Sequence, residues 1–268
     1  MKLKPNFSNV RNASTSGEIM INYSERIKFK KPVFSEIKNF NIFDMHFHTV
    51  YSDGASKIKD IVKITKKTDI GVAITDHNKI KGSLKAEASG AKVIPGIEIK
   101  LKNGIDILCY FYDSAELKEF YTKEIKNKLK GIFYTRLDFE YDEFLDICEK
   151  YNCLLSFAHP GKYDLLKYKE IVNSIEVLEV INSGISRKKN MEAFNRIRKQ
   201  KKSFTAGSDG HSIYEFGNAV VYSDSSDTQE FLEKIEKRKN YAVGKELRFG
   251  MKQRLFYNIK NRFSTILK

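Results

Sequence analysis

The chain has 268 residues, 41% of them hydrophobic and 12% aromatic, which is typical of a globular protein and not of a disordered one. No apolar run approaches the length of about 18 residues that a membrane-spanning helix needs, and the amino terminus lacks the apolar segment of a secretory signal. The three cysteines, Cys109, Cys148 and Cys153, form no CxxC pair. We interpret them as buried thiols of a reducing compartment, so we expect a cytoplasmic protein.

The net charge of +14 is concentrated at the two ends of the chain. Residues 1–41 carry eight basic and three acidic side chains, and residues 245–268 carry seven basic and one acidic. Such ends are either solvated tails or surfaces that attract an acidic substrate, a nucleic acid or a membrane surface. We predict an N-terminal extension at 1–41, a central domain at 42–244 and a basic amphipathic C-terminal helix at 245–268.

From residue 42 onward, short apolar segments alternate with segments of helical periodicity. The predicted strands are 42–45, 71–75, 92–97, 105–112, 153–158, 175–181 and 203–206, with an additional candidate at 217–222. The predicted helices are 57–67, 116–129, 142–151, 188–201 and 229–237, followed by an amphipathic pattern at 247–267. Seven strands interleaved with helices predict a mainly parallel α/β sheet, open or closed into a barrel.

Side chains that can bind a metal ion follow nearly every predicted strand. They are His46 and His48, Asp76 and His77, Glu98, His159, and Asp209 with His211. Active sites of α/β barrels and open sheets lie at the carboxyl ends of strands, so we expect these side chains to converge. His46 and His48 project to the same face of an extended chain because side-chain direction repeats every two residues.

An isolated HxH pair has little weight, since two strand-end histidines bonded to backbone carbonyls would show the same pattern. Here all five histidines of the chain and several carboxylates follow strands. Neutral imidazole and carboxylate together are the ligand set of zinc, manganese and iron. The pattern therefore predicts a metal centre.

These residues resemble the motifs of the polymerase and histidinol phosphatase (PHP) superfamily. The similar segments are His46-Phe47-His48 with Ser52-Asp53-Gly54, Asp76-His77, His159-Pro160 and Asp209-Gly210-His211, with Glu98 as the bridging glutamate. The resemblance covers about residues 42–222 and implies a distorted β/α barrel of seven strands with a trinuclear metal site. It implies three ligand sets: His46, His48, Glu98 and Asp209; Glu98 and His159; and Asp53, His77 and His211.

One predicted ligand departs from the family pattern. The family usually places a histidine on the strand after the glutamate, and Asp106 stands there in this chain. Aspartate is a harder, anionic ligand, so the second ion would be Mn²⁺ or Mg²⁺ rather than a softer ion. The alternative is a surface aspartate in a hairpin, beside a metal site short of one ligand. We expect two or three divalent ions, with zinc, manganese or iron preferred and magnesium as a further option.

Two or three divalent ions suit displacement at phosphorus, because they lower the pKa of bound water to about 7 and hold the attacking and leaving oxygens. The resemblance implies hydrolysis of a phosphate ester by metal-bound hydroxide, with Glu98 and Asp209 in the catalytic centre. Asp209 or Asp76 would manage protons, although Asp76 is also expected to orient His77 or to cap the following turn.

Phosphate oxygens beyond the metal ions need cationic partners. Arg187, just past a predicted strand, would bind phosphate in bidentate fashion, and Lys162 follows the His159 motif. The alternative for Arg187 is the solvated start of a helix.

Two other functional hypotheses remain open. A metal-dependent amidohydrolase also begins with HxH on a first strand, but the Asp209-Gly210-His211 turn and a bridging Glu98 favour the phosphoesterase. A metal-stabilised, non-catalytic module that binds nucleic acid or protein through its basic ends is favoured by Asp106 and opposed by the nearly complete ligand set. Within phosphoesterases we expect a small phosphomonoester or a nucleotide phosphate as the substrate, and the sequence makes no prediction of the oligomeric state.

Overall fold

A curled, half-barrel sheet of ten strands forms the centre of this α/β protein. The computed structural model describes residues 21–130 and 136–247. The strands are β1 (Ile27–Lys28), β2 (Asn41–Phe47), β3 (Gly71–Ile74), β4 (Val93–Lys100), β5 (Asp106–Phe111), β6 (Leu129–Lys130), β7 (Arg136–Leu137), β8 (Cys153–Phe157), β9 (Val177–Asn182), β10 (Ser203–Gly207), β11 (Ala219–Ser223) and β12 (Tyr241–Gly244). β6 and β7 form a separate small hairpin.

The helices pack around this sheet. They are α1 (Tyr23–Arg26), α2 (Ile58–Thr68), α3 (Lys81–Ala88), α4 (Ser114–Phe120), α5 (Tyr141–Cys148), α6 (Lys169–Ser174), α7 (Arg187–Gln200) and α8 (Thr228–Glu236). Short 3-10 turns cover Phe34–Glu36, Pro160–Lys162 and Ile213–Glu215, and a π turn at Tyr121–Ile125 continues α4. Within the described ranges, no helix is both long and apolar enough to cross a bilayer.

The strand order is β1-β12-β11-β2-β3-β4-β5-β8-β9-β10. The seven strands predicted from 42 to 206 are all present, and they lie side by side from β2 to β10. The predicted count of seven is too low for the sheet, because β11, β12 and β1 extend it beyond β2. The sheet is also less parallel than expected, since β5 runs antiparallel to both β4 and β8.

The curl of the sheet brings its last strand back to β2. Phe47 and Gly210 form a parallel bridge just after β10, and the His48 amide donates to the Gly210 carbonyl at 2.8 Å. An added Cβ on Gly207 would lie 2.4 Å from the Cβ of His46, so this close approach requires glycine. The carboxyl ends of β2 and β10 therefore share one edge of the half-barrel.

Both faces of β2 are buried. Because side chains alternate along a strand, neighbouring residues face different surroundings. Phe43 and Met45 belong to the main apolar cluster, and the ring of Phe43 lies 4.6 Å from that of Phe231 in α8. The alternate side chains, Asp44 and His46, point to the opposite face because strand side chains alternate. From residue 43 to residue 46, one face of β2 is therefore apolar and the other is polar.

Three helices, α1, α3 and α6, were not predicted. α3 contains Gly82, which lowers helix propensity, but a Cβ there would meet Asp76 Oδ2 at 2.1 Å. Packing against Asp76 therefore requires glycine at position 82. The same glycine is the reason why the sequence pattern did not predict this helix.

The ends of the chain are described only in part. β1 pairs in parallel with β12, and Tyr23 in α1 donates a hydrogen bond to the Lys202 carbonyl at 2.9 Å, so residues 21–28 pack against the main sheet. The division at residues 41 and 244 stays a prediction, and the C-terminal helix predicted at 245–268 lies almost entirely outside the described residues.

The three cysteines are free thiols, of which Cys109 and Cys148 are buried and Cys153 is half-buried.

Tyr110→Phe should lower the free energy of unfolding by about 1–2 kcal/mol, because the buried hydroxyl donates to the Met45 carbonyl at 2.8 Å. Urea denaturation measures this difference. Tyr214→Phe is the control: this side chain is 82% exposed, so its substitution should change stability by less than about 0.5 kcal/mol. Equal denaturation midpoints for Tyr110→Phe and the wild type would contradict the assigned hydrogen bond.

Candidate metal centre

Nine side chains from six strand ends meet at the edge where β2 and β10 approach each other. They are His46 and His48 (β2), Asp53 (the loop after β2), His77 (after β3), Glu98 (β4), Asp106 (β5), His159 (after β8), and Asp209 and His211 (after β10). Asp106 comes from the amino end of its strand, because β5 runs antiparallel to its neighbours. The structure therefore brings together every ligand predicted from the sequence.

The first predicted ligand set is fully enclosed. His46 Nε2 lies 3.1 Å from His48 Nε2, and both nitrogens lie 3.4 Å from Glu98 Oε2. Asp209 Oδ1 lies 3.3 Å from His48 Nε2 and 3.7 Å from His46 Nε2. Two ligand atoms of a tetrahedral zinc ion lie about 3.4 Å apart, so these separations fit donors that share one ion.

The set predicted around Asp53 is open to solvent. Asp53 Oδ2 lies 3.1 Å from His211 Nε2 and 3.7 Å from His77 Nε2. The Asp53 side chain is 46% exposed and that of His77 is 32% exposed, whereas His46, His48 and Glu98 are inaccessible. His48 Nδ1 also lies 3.6 Å from Asp53 Oδ1, so His48 faces both sets with its two nitrogens.

Glu98 lies where the ligand sets meet. One carboxylate oxygen, Oε2, lies 2.9 Å from His77 Nδ1, and the other, Oε1, lies 3.2 Å from His159 Nε2. With His46 and His48 also near Oε2, four imidazoles surround one buried carboxylate. This is the position that a bridging ligand needs.

The pKa values of these groups reflect a site that attracts positive charge. Burial lowers the pKa of His48 to about 3, with the neighbouring His211 and His77 adding to the effect, so His48 is neutral and has a lone pair available at pH 7. Burial opposes the charged form of His77, but the charge of Glu98 outweighs it and raises the pKa of His77 to about 9. Burial also opposes the charged form of Glu98, yet His77 and His46 hold its pKa well below the usual range. Divalent cations fit this donor set because they would replace the protons it holds.

Comparison with known proteins agrees with this geometry. The sequence model of the PHP domain matches residues 44–244. The chain belongs to the PHP domain family.

Individual relatives share the domain at moderate or low sequence identity. An uncharacterised protein of Methanocaldococcus jannaschii is 29% identical over 189 residues, which is 66% of this chain and 68% of the relative. The solved structure of Endonuclease Q, in complex with a 27-mer duplex substrate with an abasic lesion at its active site, has a TM-score of 0.60 at 20% identity, covering 77% of this chain and 60% of that one. A two-domain protein of Bacteroides vulgatus, described as containing a predicted PHP-like metal-dependent phosphoesterase, has a TM-score of 0.54 at 16% identity, covering 86% and 73%. At such identities these two structures show the shared fold alone.

A buried carboxylate that was not among the predicted site residues positions two of the predicted metal ligands. Glu179, in the middle of β9, contacts His46 Nδ1 through Oε1 at 3.0 Å and accepts a hydrogen bond from the His159 amide through Oε2 at 2.7 Å. This contact turns His46 Nε2 toward the cluster, as outer carboxylates commonly do for metal-binding histidines. An acidic residue inside the apolar strand Val177–Asn182 was the available signal.

Two further buried carboxylates hold the loops that carry ligands. Asp76 accepts hydrogen bonds from the Thr49 amide at 2.7 Å, the Thr49 hydroxyl at 2.6 Å and the Ser52 hydroxyl at 2.5 Å. Its side chain therefore fixes the segment leading to Asp53, whereas we expected it to orient His77 or to cap the following turn. Asp44 accepts from the amide of Ser208 at 2.8 Å, and so anchors the loop that leads to Asp209.

Three positions in or beside the predicted ligands have a left-handed backbone conformation. Among described residues other than glycine, six have positive φ, and three of these follow the ends of α2, α7 and α8. The other three are Asn78, His159 and Asp209, with φ of 51°, 32° and 49°. A left-handed conformation costs about 1–2 kcal/mol per residue, and such strain is typical of functional sites.

Asp106 is buried, so the alternative of a surface aspartate is wrong. Its side chain accepts a hydrogen bond from the Tyr163 hydroxyl at 2.7 Å, and Lys100 Nζ lies 3.1 Å from Oδ1. Lys100 and Asp106 are direct cross-strand partners in the β4–β5 register, which explains the ion pair. His159 Nε2 lies 3.7 Å from Asp106 Oδ2, so this carboxylate also faces a predicted metal ligand.

The predicted phosphate-binding cations differ in position. Arg187 begins α7 and donates to the Phe29 carbonyl at 2.8 Å, with its guanidinium carbon 5.1 Å from the centre of the Phe29 ring. Its interactions are thus with the segment after β1, and the structure does not bring it to the ligand cluster. Lys162 Nζ, in contrast, lies 3.8 Å from Asp209 Oδ2 and is 42% exposed.

Glu179→Gln should weaken metal binding by about 10- to 100-fold, because a neutral amide with one acceptor oxygen cannot hold both His46 Nδ1 and the His159 amide. Competition with a chromophoric chelator measures the affinity. Glu176→Gln is a matched control three residues earlier, where the side chain is exposed. If both variants bound metal like the wild type, Glu179 would have no positioning role.

Asp106→Ala should weaken binding of at least one metal ion by about 10-fold, because it removes a carboxylate oxygen that faces His159. Metal analysis after gel filtration measures the ions retained per chain. Asp138→Ala removes a carboxylate whose side chain is 55% exposed, and it should retain wild-type metal content. Wild-type metal content in Asp106→Ala would remove Asp106 from the ligand list.

Proposed function

We propose that this PHP domain hydrolyses phosphate esters with two or three divalent metal ions, with small phosphomonoesters or nucleotide phosphates as substrates. The observation that carries the proposal is the convergence of five imidazoles and four carboxylates around Glu98, partly enclosed and partly open to solvent. Zinc, manganese or iron, with magnesium as a further option, suits this set of nitrogen and oxygen ligands. The ions would lower the pKa of bound water and stabilise charge on phosphate oxygens.

The distances between the candidate ligand atoms divide them into three proposed sets. His46, His48, Glu98 and Asp209 would hold one ion, and Asp53, His77 and His211 a second, with His48 Nδ1 close by. Glu98, His159 and Asp106 would hold a third. Lys100 pairs with Asp106 in this last set, so we propose that it is the weakest of the three.

Two side chains at the edge of the cluster are proposed to act on the substrate. Asp209 presents Oδ1 to His46 and His48, and its Oδ2 lies toward Lys162. We propose that Oδ2 takes the proton from the attacking water, and that the Lys162 ammonium binds a phosphate oxygen. Lys162 replaces Arg187 in this role because Arg187 is bonded to Phe29.

Catalysis in the cytoplasm is part of the proposal. Free thiols at Cys109, Cys148 and Cys153 support a reducing compartment.

Purified protein loaded with Mn²⁺, Zn²⁺ or Fe²⁺ should release p-nitrophenol from p-nitrophenyl phosphate and leave a dipeptide and a cyclic amide intact. His48→Ala should reduce this turnover by about 100-fold or more, because His48 faces two ligand sets. Lys237→Ala, an exposed change in the turn after α8, is the control and should retain activity. Metal-dependent cleavage of the amides without phosphate release would favour the amidohydrolase, and no turnover of any substrate would favour the binding module.

A further inference from the structure

A basic surface lies on the segment that follows Asp53 in the chain. Residues 57–89 contain eight lysines and four acidic residues, one of which, Asp76, is buried. The lysines are Lys57, Lys59, Lys63, Lys66, Lys67, Lys79, Lys81 and Lys85, and all except Lys79 are exposed. Residues 57–89 therefore carry a net charge of +4.

An aromatic ring lies among these lysines. Tyr51 lines a groove of about 600 Å³ between α2 and α3, together with Lys59, Lys85 and the apolar side chains of Ile58 and Val62. Lys81 Nζ lies 5.3 Å, and Lys85 Nζ 5.6 Å, from the centre of the Tyr51 ring. Two ammonium groups thus flank one half-buried ring.

The groove lies beside the loop that carries Asp53, because Tyr51 belongs to that loop. Tyr51 stands two residues before Asp53, in the segment that Asp76 holds through Thr49 and Ser52. The Tyr51 amide also donates to the Thr49 hydroxyl at 3.1 Å, so the ring and Asp53 belong to one fixed turn.

We propose that this tyrosine–lysine groove (Tyr51, Lys59, Lys81 and Lys85) binds single-stranded nucleic acid and directs one of its phosphates into the metal centre. The inference rests on the proposed phosphoesterase function and extends its substrates from nucleotide phosphates to oligonucleotides. Aromatic rings stack on bases and lysines contact the phosphates in single-strand sites, whereas a small phosphomonoester has no part to occupy such a groove. The aromatic ring of Tyr51 distinguishes this groove from an ordinary solvated surface of lysines.

Binding of a fluorescent single-stranded oligonucleotide of about 12 nucleotides to metal-loaded, full-length protein tests the proposal by fluorescence anisotropy. Lys81→Ala/Lys85→Ala should weaken binding about 10-fold at low salt. It should also reduce the slope of log Kd against log salt concentration by about 1.4, because two phosphate contacts are lost. The metal content of this variant should match that of the wild type. Lys234→Ala/Lys237→Ala, on α8 and the turn that follows it, should bind the oligonucleotide like the wild type.

Variants of Tyr51 distinguish stacking on a base from simple attraction between charges. Tyr51→Ala should weaken binding about 5-fold or more, while Tyr51→Phe, which keeps the ring, should bind like the wild type. Inorganic polyphosphate should bind more weakly than the oligonucleotide because it has no base. Equal affinity for polyphosphate with no effect of Tyr51→Ala, or binding to phosphatidylserine vesicles in place of the oligonucleotide, would overturn the proposal.

Turnover of p-nitrophenyl phosphate by the wild type distinguishes the two proposals. If the small ester is hydrolysed and no oligonucleotide binds, the groove is wrongly assigned and the phosphoesterase stands. If the oligonucleotide binds through Tyr51 and Lys81 but no ester is hydrolysed, the groove stands and the proposed function fails.

Discussion

The structure depends on one buried carboxylate, Glu98, and the four imidazoles around it. His46, His48, His77 and His159 all have a ring nitrogen within 3.4 Å of Glu98, and three of these histidines are almost completely buried. A buried carboxylate is stable only where positive charge and hydrogen bonds compensate for its lost hydration. A cluster of this kind therefore needs bound cations or protons, and divalent ions meet that need without unfolding the surrounding strands.

The buried carboxylates outside the cluster hold the half-barrel in the shape that the centre needs. Asp44 connects β2 to the loop after β10, and Asp76 connects the loop after β3 to the loop after β2. Glu179 connects β9 to β2 and to His159 in the turn after β8. Each accepts hydrogen bonds from backbone amides, which compensates for burial. The ligands are thus positioned by contacts between strands that are distant in sequence.

Charge is distributed unevenly around the centre. On the enclosed side, Lys100 and Tyr163 already satisfy Asp106, so a cation of the protein itself compensates for that carboxylate. On the open side, Asp53 is substantially exposed, and Lys81 of α3 lies over the ring of Tyr51, two residues before it. The predicted ligands are therefore accessible on the side where Asp76 holds the backbone.

The sequence by itself determined the seven strands from β2 to β10 and all nine candidate ligands, because apolar strands and the polar residues after them are local features. Tertiary structure alone decided that β5 runs antiparallel, and so which end of it faces the centre and why Lys100 pairs with Asp106. It also decided that Glu179, hidden within an apolar strand, supports His46, and that Arg187 contacts Phe29. These outcomes depend on which strands become neighbours, and that depends on the packing of the whole sheet rather than on the pattern within any one segment.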